Sequence, residues 1–177
     1  TVDFSFTECK DGSNNYYSIV QIGTQTWMAE NLKTTKYNDG TDIPLETDYT
    51  AWDKLSTPAY CWYKNDEATY KTPYGALYNW FAVNTGKLCP SGWHVATNPE
   101  WATLVNTYLG GGSIAGGKLK ETGTTHWKAP NTNASNETGF TALPGGNRTY
   151  GESRGVGYGG FWWTASQVSI ATAMFRQ

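Results

Sequence analysis

The chain has no run of basic residues. Thirteen Lys and Arg stand against 15 Asp and Glu, for a formal net charge of −2. An electrostatic footprint for nucleic acid is therefore missing, and a polyanionic partner is not expected. No stretch approaches the ~18 consecutive apolar residues of a membrane span, so no transmembrane helix is expected. The opening residues, Thr1 to Gly12, have neither a basic nor an apolar leader region. Charged residues make up only 16%, below the usual ~25%. Histidines are limited to His94 and His126, with no HExxH and no CxxC, so neither a zinc centre nor any other cofactor is expected. Cysteines number three, Cys9, Cys61 and Cys89. An odd count in a secreted protein leaves one thiol unpaired or paired outside the chain.

Aromatic residues and glycine are plentiful. Nine Trp, 12 Tyr and 6 Phe can each bury about 150–250 Å², which suffices for a core and excludes disorder of the whole chain. Twenty glycines among 177 residues exceed the ordinary ~7% share. The length suits one domain, since roughly 100–200 residues is the common size. Richness in Trp, Tyr, Thr and Asn leans toward an extracytoplasmic protein.

Residues Tyr17 to Ile22 alternate, Gly23 follows, and Thr26-Trp27-Met28 comes next, which predicts a hairpin or two short strands. Thr34 to about Thr57 reads as an ordered loop anchored by Tyr37, Ile43, Leu45, Trp52 and Leu55. Tyr60 to Tyr63 is a short strand. Leu77, Trp80 and Phe81, with Ala76 and Val83, recur at helical spacing and predict a first helix over Tyr74 to Val83. Thr97-Asn98-Pro99-Glu100 is a capping box, and Trp101, Leu104, Val105, Tyr108 and Leu109 continue it as an amphipathic second helix ended by Gly110 to Gly112. Beyond it the expectation is a turn of helix at Gly117 to Glu121, a loop at Asn131 to Asn136, and strands at Phe140 to Leu143, Phe161 to Ala165 and Ala171 to Arg176. Two helices in a strand-rich, loop-rich chain predict an α+β domain.

Three ordered blocks carry a resemblance: Ile22 to Leu32 (IGTQTWMAENL), Tyr74 to Trp80 (YGALYNW) and Leu88 to Val95 (LCPSGWHV). Glu100-Trp101, Glu137 to Phe140, Leu143 to Gly146 and Phe161 to Thr164 extend it. The chain resembles the Fibrobacter succinogenes major paralogous domain of exported bacterial proteins, from about residue 16 onward. The resemblance implies a C-type-lectin-like fold over residues 1–177: two helices flanking a small antiparallel sheet, with long ordered loops forming a ligand face. It further implies that the chain lacks about two dozen residues of final C-terminal strands. The absent terminal cysteine would be the partner of Cys89, and an exported domain is expected not to keep both Cys61 and Cys89 free.

Lectin calcium motifs are absent. Asn131, Asn133, Asn136 and Glu137 could supply oxygens, but such a stretch is more often a hydrogen-bonded loop, so no metal is expected. Cys89-Pro90 reads as a structural half-cystine, and catalysis is not expected. Trp162 and Trp163, adjacent on a strand, should point to opposite faces, one to the core and one accessible. Mapped by position from diversified relatives of the fold, the ligand face is Arg148–Tyr158 and Gln167–Thr172. Its candidate contacts are Tyr150, Glu152, Arg154, Tyr158, Trp163, Gln167, Ser169 and Thr172. The expected function is an extracellular or cell-surface binding or adhesion module, not an enzyme, for a glycan or a protein surface. The alternative is a structural stalk or fibre module completed by a partner's strand through strand exchange or self-association.

Overall fold

The computed structural model describes residues 9–169 and 172–177, without the side chains of residues 168–172. β1 (Ile19–Ile22) and β2 (Gln25–Met28) form an antiparallel hairpin with Val20 opposite Trp27 and Ile22 opposite Gln25. Gly23, at φ 62°, makes the turn. The alternation read in the sequence holds: Ile22 and Trp27 are buried while Ile19 is exposed. Trp27 meets Trp101 at 4.8 Å and Phe140 at 5.9 Å between ring centroids. Leu104, Leu109 and Leu119 complete this first core.

The stretch from Thr34 to Thr57 is not loop throughout. Asp48 accepts from the Ala51 N–H at 2.7 Å and caps helix α1 (Tyr49–Lys54), which buries no residue of its own. β3 (Tyr60–Cys61) pairs antiparallel with β4 (Leu77–Tyr78). Between them lies α2 (Glu67–Tyr74), capped by Asp66 and stopped at Gly75.

The helix expected over Tyr74 to Val83 is thus broken. Gly75 sits at φ 72°, where a Cβ would lie 2.5 Å from the Leu32 carbonyl oxygen. The strand pairing takes Leu77 and Tyr78, and only α3 (Trp80–Val83) remains helical, capped by Asn79. Its Trp80 belongs to a second core with Tyr37, Ile43, Tyr60, Trp62 and Leu88.

The capping box forms as read. Thr97 accepts from the Glu100 N–H, and Glu100 Oε2 accepts from the Thr97 N–H at 2.7 Å at the start of α4 (Asn98–Ala102). The helix then widens into a π-helical segment, Thr103–Tyr108, closed by a Leu109 N–H to Leu104 carbonyl bond at 3.1 Å. Tyr108 is thereby placed to hydrogen-bond Thr24 Oγ1 at 2.7 Å, tying the helix to the β1–β2 turn. α5 (Gly112–Leu119) begins earlier and runs longer than the single turn expected. The strand expected at Phe140 to Leu143 is reduced to one bridge, Lys120 to Ala142, because Thr141 takes a left-handed conformation at φ 56°.

Two hairpins end the chain. β5 (Asn147–Thr149) pairs with β6 (Glu152–Arg154), and β7 (Trp162–Ser169) pairs with β8 (Thr172–Arg176) with a bulge between Trp163 and Gln167. Residues 170 and 171, where the second strand was expected to begin, lie outside the described residues. β7 joins the two cores: the Trp163 indole N–H donates to the Tyr78 carbonyl at 2.8 Å, and the Ala165 N–H to the Ala96 carbonyl at 3.0 Å. The protein mixes helices with small antiparallel sheets, an α+β architecture. Among the described residues the strands stand in four separate pairs.

Candidate functional site

The β5–β6 hairpin turns through two residues, Tyr150 at φ 50° and Gly151 at φ 69°. Both central residues of such a turn must be left-handed, which suits Asn and Gly and strains a bulky side chain. Tyr150 nevertheless occupies the first place, 82% exposed. Glu152 and Arg154 on β6 are exposed and paired at 2.9 Å. Tyr158, 75% exposed, stands on the following glycine-rich loop. That loop is held by Lys128 N–H donation to the Gly157 carbonyl at 2.8 Å and Gly157 N–H donation to the Pro144 carbonyl at 2.9 Å.

The remaining candidates lie on β7 and β8. Gln167 is exposed and opposite Ala173. It follows Ser166, whose hydroxyl accepts from the Asn98 N–H at 2.8 Å, so it stands beside the start of α4. Ser169 and Thr172 pair through the backbone, and their side chains lie outside the described residues. Trp163 is half-buried with its ring 5.9 Å from Trp80. Trp162 is half-buried too, its indole N–H donating to Asn31 Oδ1 at 3.2 Å. The expected split between one core and one accessible tryptophan is replaced by two half-buried rings, each anchored by its N–H.

Arg148 departs from the exposed face on which the sequence mapping set it. It is 7% exposed and clamps the hairpin to the chain beneath. Its guanidinium donates to the Thr47 carbonyl at 2.9 Å, the Glu46 carbonyl at 3.2 Å and Asn65 Oδ1 at 2.8 Å. It also lies 4.0 Å from the Tyr49 ring centroid and 5.1 Å from that of Trp52. Sequence reasoning missed this floor of the face because it read α1 as loop; Asp48, an N-cap residue ahead of Tyr49 and Trp52, was the available signal.

A cleft of about 1130 Å³ opens beside these residues. Trp27, Trp93, Trp101, Trp162 and Trp163 line it, as do Trp52, Arg148 and Tyr150.

The expectation that Cys61 and Cys89 are not both free is overturned. All three cysteines are free and buried, with no two sulfurs at bonding distance. The physical reason is placement: Cys61 is fixed on the β3–β4 pair and Cys89 lies in the loop after Leu88, and the fold brings no two of the sulfurs within bonding distance. Burial pushes Cys61 up to about 11 against the lowering effect of Arg148. Burial and then Cys9 push Cys89 up to about 12, and burial with Asp11 and Glu30 takes Cys9 to about 11. Thiols so placed are protonated at neutral pH and poor nucleophiles. In the native protein an aromatic disulfide reagent is expected to label them only slowly, and all three rapidly once denaturant is added; fewer than three in denaturant would reveal a bond.

The histidines make local pairs. His94 Nε2 meets Glu100 Oε1 at 2.9 Å and His126 Nδ1 meets Glu121 Oε1 at 2.8 Å. Burial raises the Glu100 carboxyl, but the bonds from Thr97 and His94 outweigh it and hold the group below its ordinary value. Of the loop groups weighed for calcium, Asn136 and Glu137 engage an oxygen internally, while Asn131 bonds through its amide nitrogen and its buried Oδ1 has no protein partner among the described residues. Asn131 Nδ2 donates to the Glu121 carbonyl at 2.7 Å, Asn136 Oδ1 accepts from the Thr141 N–H at 2.8 Å, and Glu137 pairs with Lys118 at 2.9 Å. Among the described residues no three His, Cys, Asp or Glu side chains gather at metal-binding distance, and no helix is long and apolar enough to cross a membrane.

A family model of the Fibrobacter succinogenes major domain matches residues 20–176, nearly the whole chain. The chain belongs to that family. No curated protein and no solved structure matches it.

Proposed function

We propose that this chain is a non-enzymatic binding module of an exported protein, with a C-type-lectin-like arrangement, whose ligand face is the β5–β6 hairpin and the glycine-rich loop after it. One observation carries this reading: Tyr150 is held in a strained left-handed conformation while almost wholly exposed. It gains no packing that would offset the strain, and strain kept without a structural return is a mark of functional positions. Tyr158, Glu152 and Arg154 on the same segment add a second exposed ring and hydrogen-bonding groups. Aromatic rings with adjacent polar groups suit a glycan's apolar C–H face and hydroxyls, or a protein surface. The location outside the cell rests on the resemblance to exported proteins.

The test is a printed array of glycans and of extracellular-matrix and envelope proteins, probed with the wild type, Tyr150→Asn and Tyr158→Ala. Tyr150→Asn is expected to stabilise the fold by about 1 kcal/mol, since left-handed backbone costs a non-glycine residue ~1–2 kcal/mol and Asn tolerates it best. That raises Tm by about 2–4 °C in a chain of this size. The same change is expected to weaken ligand retention. A variant that is more stable and binds as well as wild type would remove the reading.

A second reading, a structural module completed by a partner's strand, is favoured by the cleft. Its volume of about 1130 Å³ exceeds the ~300–1,000 Å³ of small-molecule sites. The strand pairs beside it are two-stranded, and such pairs gain stability from a third strand. Light scattering decides between the readings: a strand-exchanged module is a concentration-dependent oligomer, a binding module a monomer.

A further inference from the structure

We infer that Trp52 on α1 is the stacking platform of the ligand face and that the ligand it takes is a neutral pyranose. The inference rests on the binding-module reading and names its chemistry. Trp52 is half-buried on a helix with no fully buried residue, and it belongs to neither core. Among the described residues no aromatic ring pairs with it and its indole N–H has no acceptor, in contrast to Trp27, Trp162 and Trp163. It is nonetheless fixed from the protein side. The Arg148 guanidinium, held by three oxygen acceptors and stacked on Tyr49, comes within 5.1 Å of its ring centroid. An indole immobilised in this way loses little entropy when a ring settles on it.

The hairpin tip stands next to it. Tyr150 and Trp52 both line the cleft, and a Cβ on Gly151 would lie 3.9 Å from Asp53 Oδ2. Tyr49 Oη and Ser153 Oγ are 3.4 Å apart, joining helix to hairpin on their inner side. Two aromatic rings therefore border a site that also carries the exposed carboxylates of Asp53 and Glu152. Carboxylates accept hydroxyl hydrogens strongly and repel an ionised sugar. The two arginines at the site are already engaged, Arg154 with Glu152 and Arg148 with the oxygens beneath it, and the remaining cations are the exposed Lys54, next to Asp53, and Lys64, whose backbone bonds Ser153. Hydroxyl-bearing, uncharged rings suit two aromatic faces with mixed, mutually balanced charges around them better than uronates or sulfated sugars do.

The experiment is calorimetric titration of the full chain with cellohexaose, xylohexaose and mannohexaose as neutral probes and hexagalacturonate as the acidic one. At least one neutral hexaose is expected to bind, and hexagalacturonate to bind at least tenfold more weakly. Trp52→Ala is expected to weaken the neutral ligand tenfold or more, Trp52→Phe by no more than about threefold, and Asp53→Asn measurably, each with Tm within a few degrees of wild type. An unchanged affinity in Trp52→Ala, a preference for hexagalacturonate, or no hexaose bound overturns the inference. In the last case, retention of a protein on the array that depends on Tyr150 leaves the binding-module reading standing, and the absence of any retained ligand removes both. If Trp52→Ala lowers Tm strongly, Trp52→Leu with Asp53→Asn carries the same comparison.

Discussion

Replacing Trp27 by alanine is expected to lower the unfolding free energy by about 3 kcal/mol, the low end of the ~3–5 kcal/mol seen for buried aromatic truncations. Trp27 is buried between Trp101 and Phe140, which themselves stand 6.2 Å apart, so three rings form a closed triangle around the inner face of the β1–β2 hairpin. Removing one ring takes away its transfer energy and two tilted or edge contacts worth ~0.5–1.5 kcal/mol each. The low end applies because Trp27 also lines the cleft. The space left behind is continuous with solvent, so water can enter it, unlike a sealed apolar cavity. Against a total of ~5–15 kcal/mol the loss is large. Urea unfolding should show a lower midpoint with an unchanged slope. A loss under about 1 kcal/mol would mean that the triangle does not anchor this core. Trp52→Ala, at a residue of the same type, should lower the midpoint far less, because α1 has no fully buried residue and Trp52 belongs to neither core.

The parts of the fold legible in the sequence are those governed by neighbours along the chain. Alternation from Tyr17 to Ile22 with Gly23 as the turn is a local signal, as is the Thr97 to Glu100 capping box, and both form as read. The helix expected at Tyr74 to Val83 failed because its apolar spacing was real while its continuity was decided elsewhere. Leu32 presses its carbonyl against Gly75, and β3 recruits Leu77 and Tyr78. Nothing within ten residues of Gly75 announces either partner. The widening after Ala102 is likewise hidden, since a π-helical segment keeps the same apolar residues and changes only their phase.

The candidate site divides along the same line. Tyr150, Glu152, Arg154 and Tyr158 are a contiguous glycine-rich segment and were visible as such; the structure leaves Tyr150 and Tyr158 exposed. Trp52 and Arg148 were not visible as a unit, because nearly a hundred positions separate them and their meeting depends on three oxygen acceptors gathered from Glu46, Thr47 and Asn65. Arg148 had been set on the exposed ligand face by position alone, as the first residue of the Arg148–Tyr158 segment. Its burial without a carboxylate partner among the described residues is made tolerable by those bonds and by the Tyr49 ring. The cysteine pairing failed for a related reason. Cysteine count and export suggest oxidation, but bonding needs Cα atoms within about 7 Å and facing Cβ vectors, and that geometry cannot be counted from spacing.

Gly146→Ala is expected to cost about 2–5 kcal/mol and to weaken ligand binding, whereas Gly92→Ala is expected to cost only about 1 kcal/mol and to leave binding unchanged. Both glycines have left-handed backbones, φ 68° and φ 83°, so both replacements bring the same conformational strain of ~1–2 kcal/mol. They differ in what the new methyl meets. At Gly92 there is open space within 4 Å. At Gly146 the Cβ would lie 2.4 Å from the Arg154 carbonyl oxygen, 2.7 Å from the Val156 nitrogen and 2.9 Å from the Tyr63 ring. Two of those three are backbone atoms that no rotamer change can move, so overpacking of ~1–3 kcal/mol is added to the strain. Relief has to come from displacing the strand that carries Arg154, and that strand is β6. The Gly146 N–H donates to the Gly159 carbonyl at 2.9 Å, so the glycine-rich loop shifts with it. Tyr150 and Glu152 would then leave their register over α1, and ligand retention should fall with stability. Chemical denaturation and titration of the two variants side by side measure both quantities. Equal losses at the two positions would show that the left-handed backbone alone matters and that the close approach at Gly146 does not hold the hairpin in place.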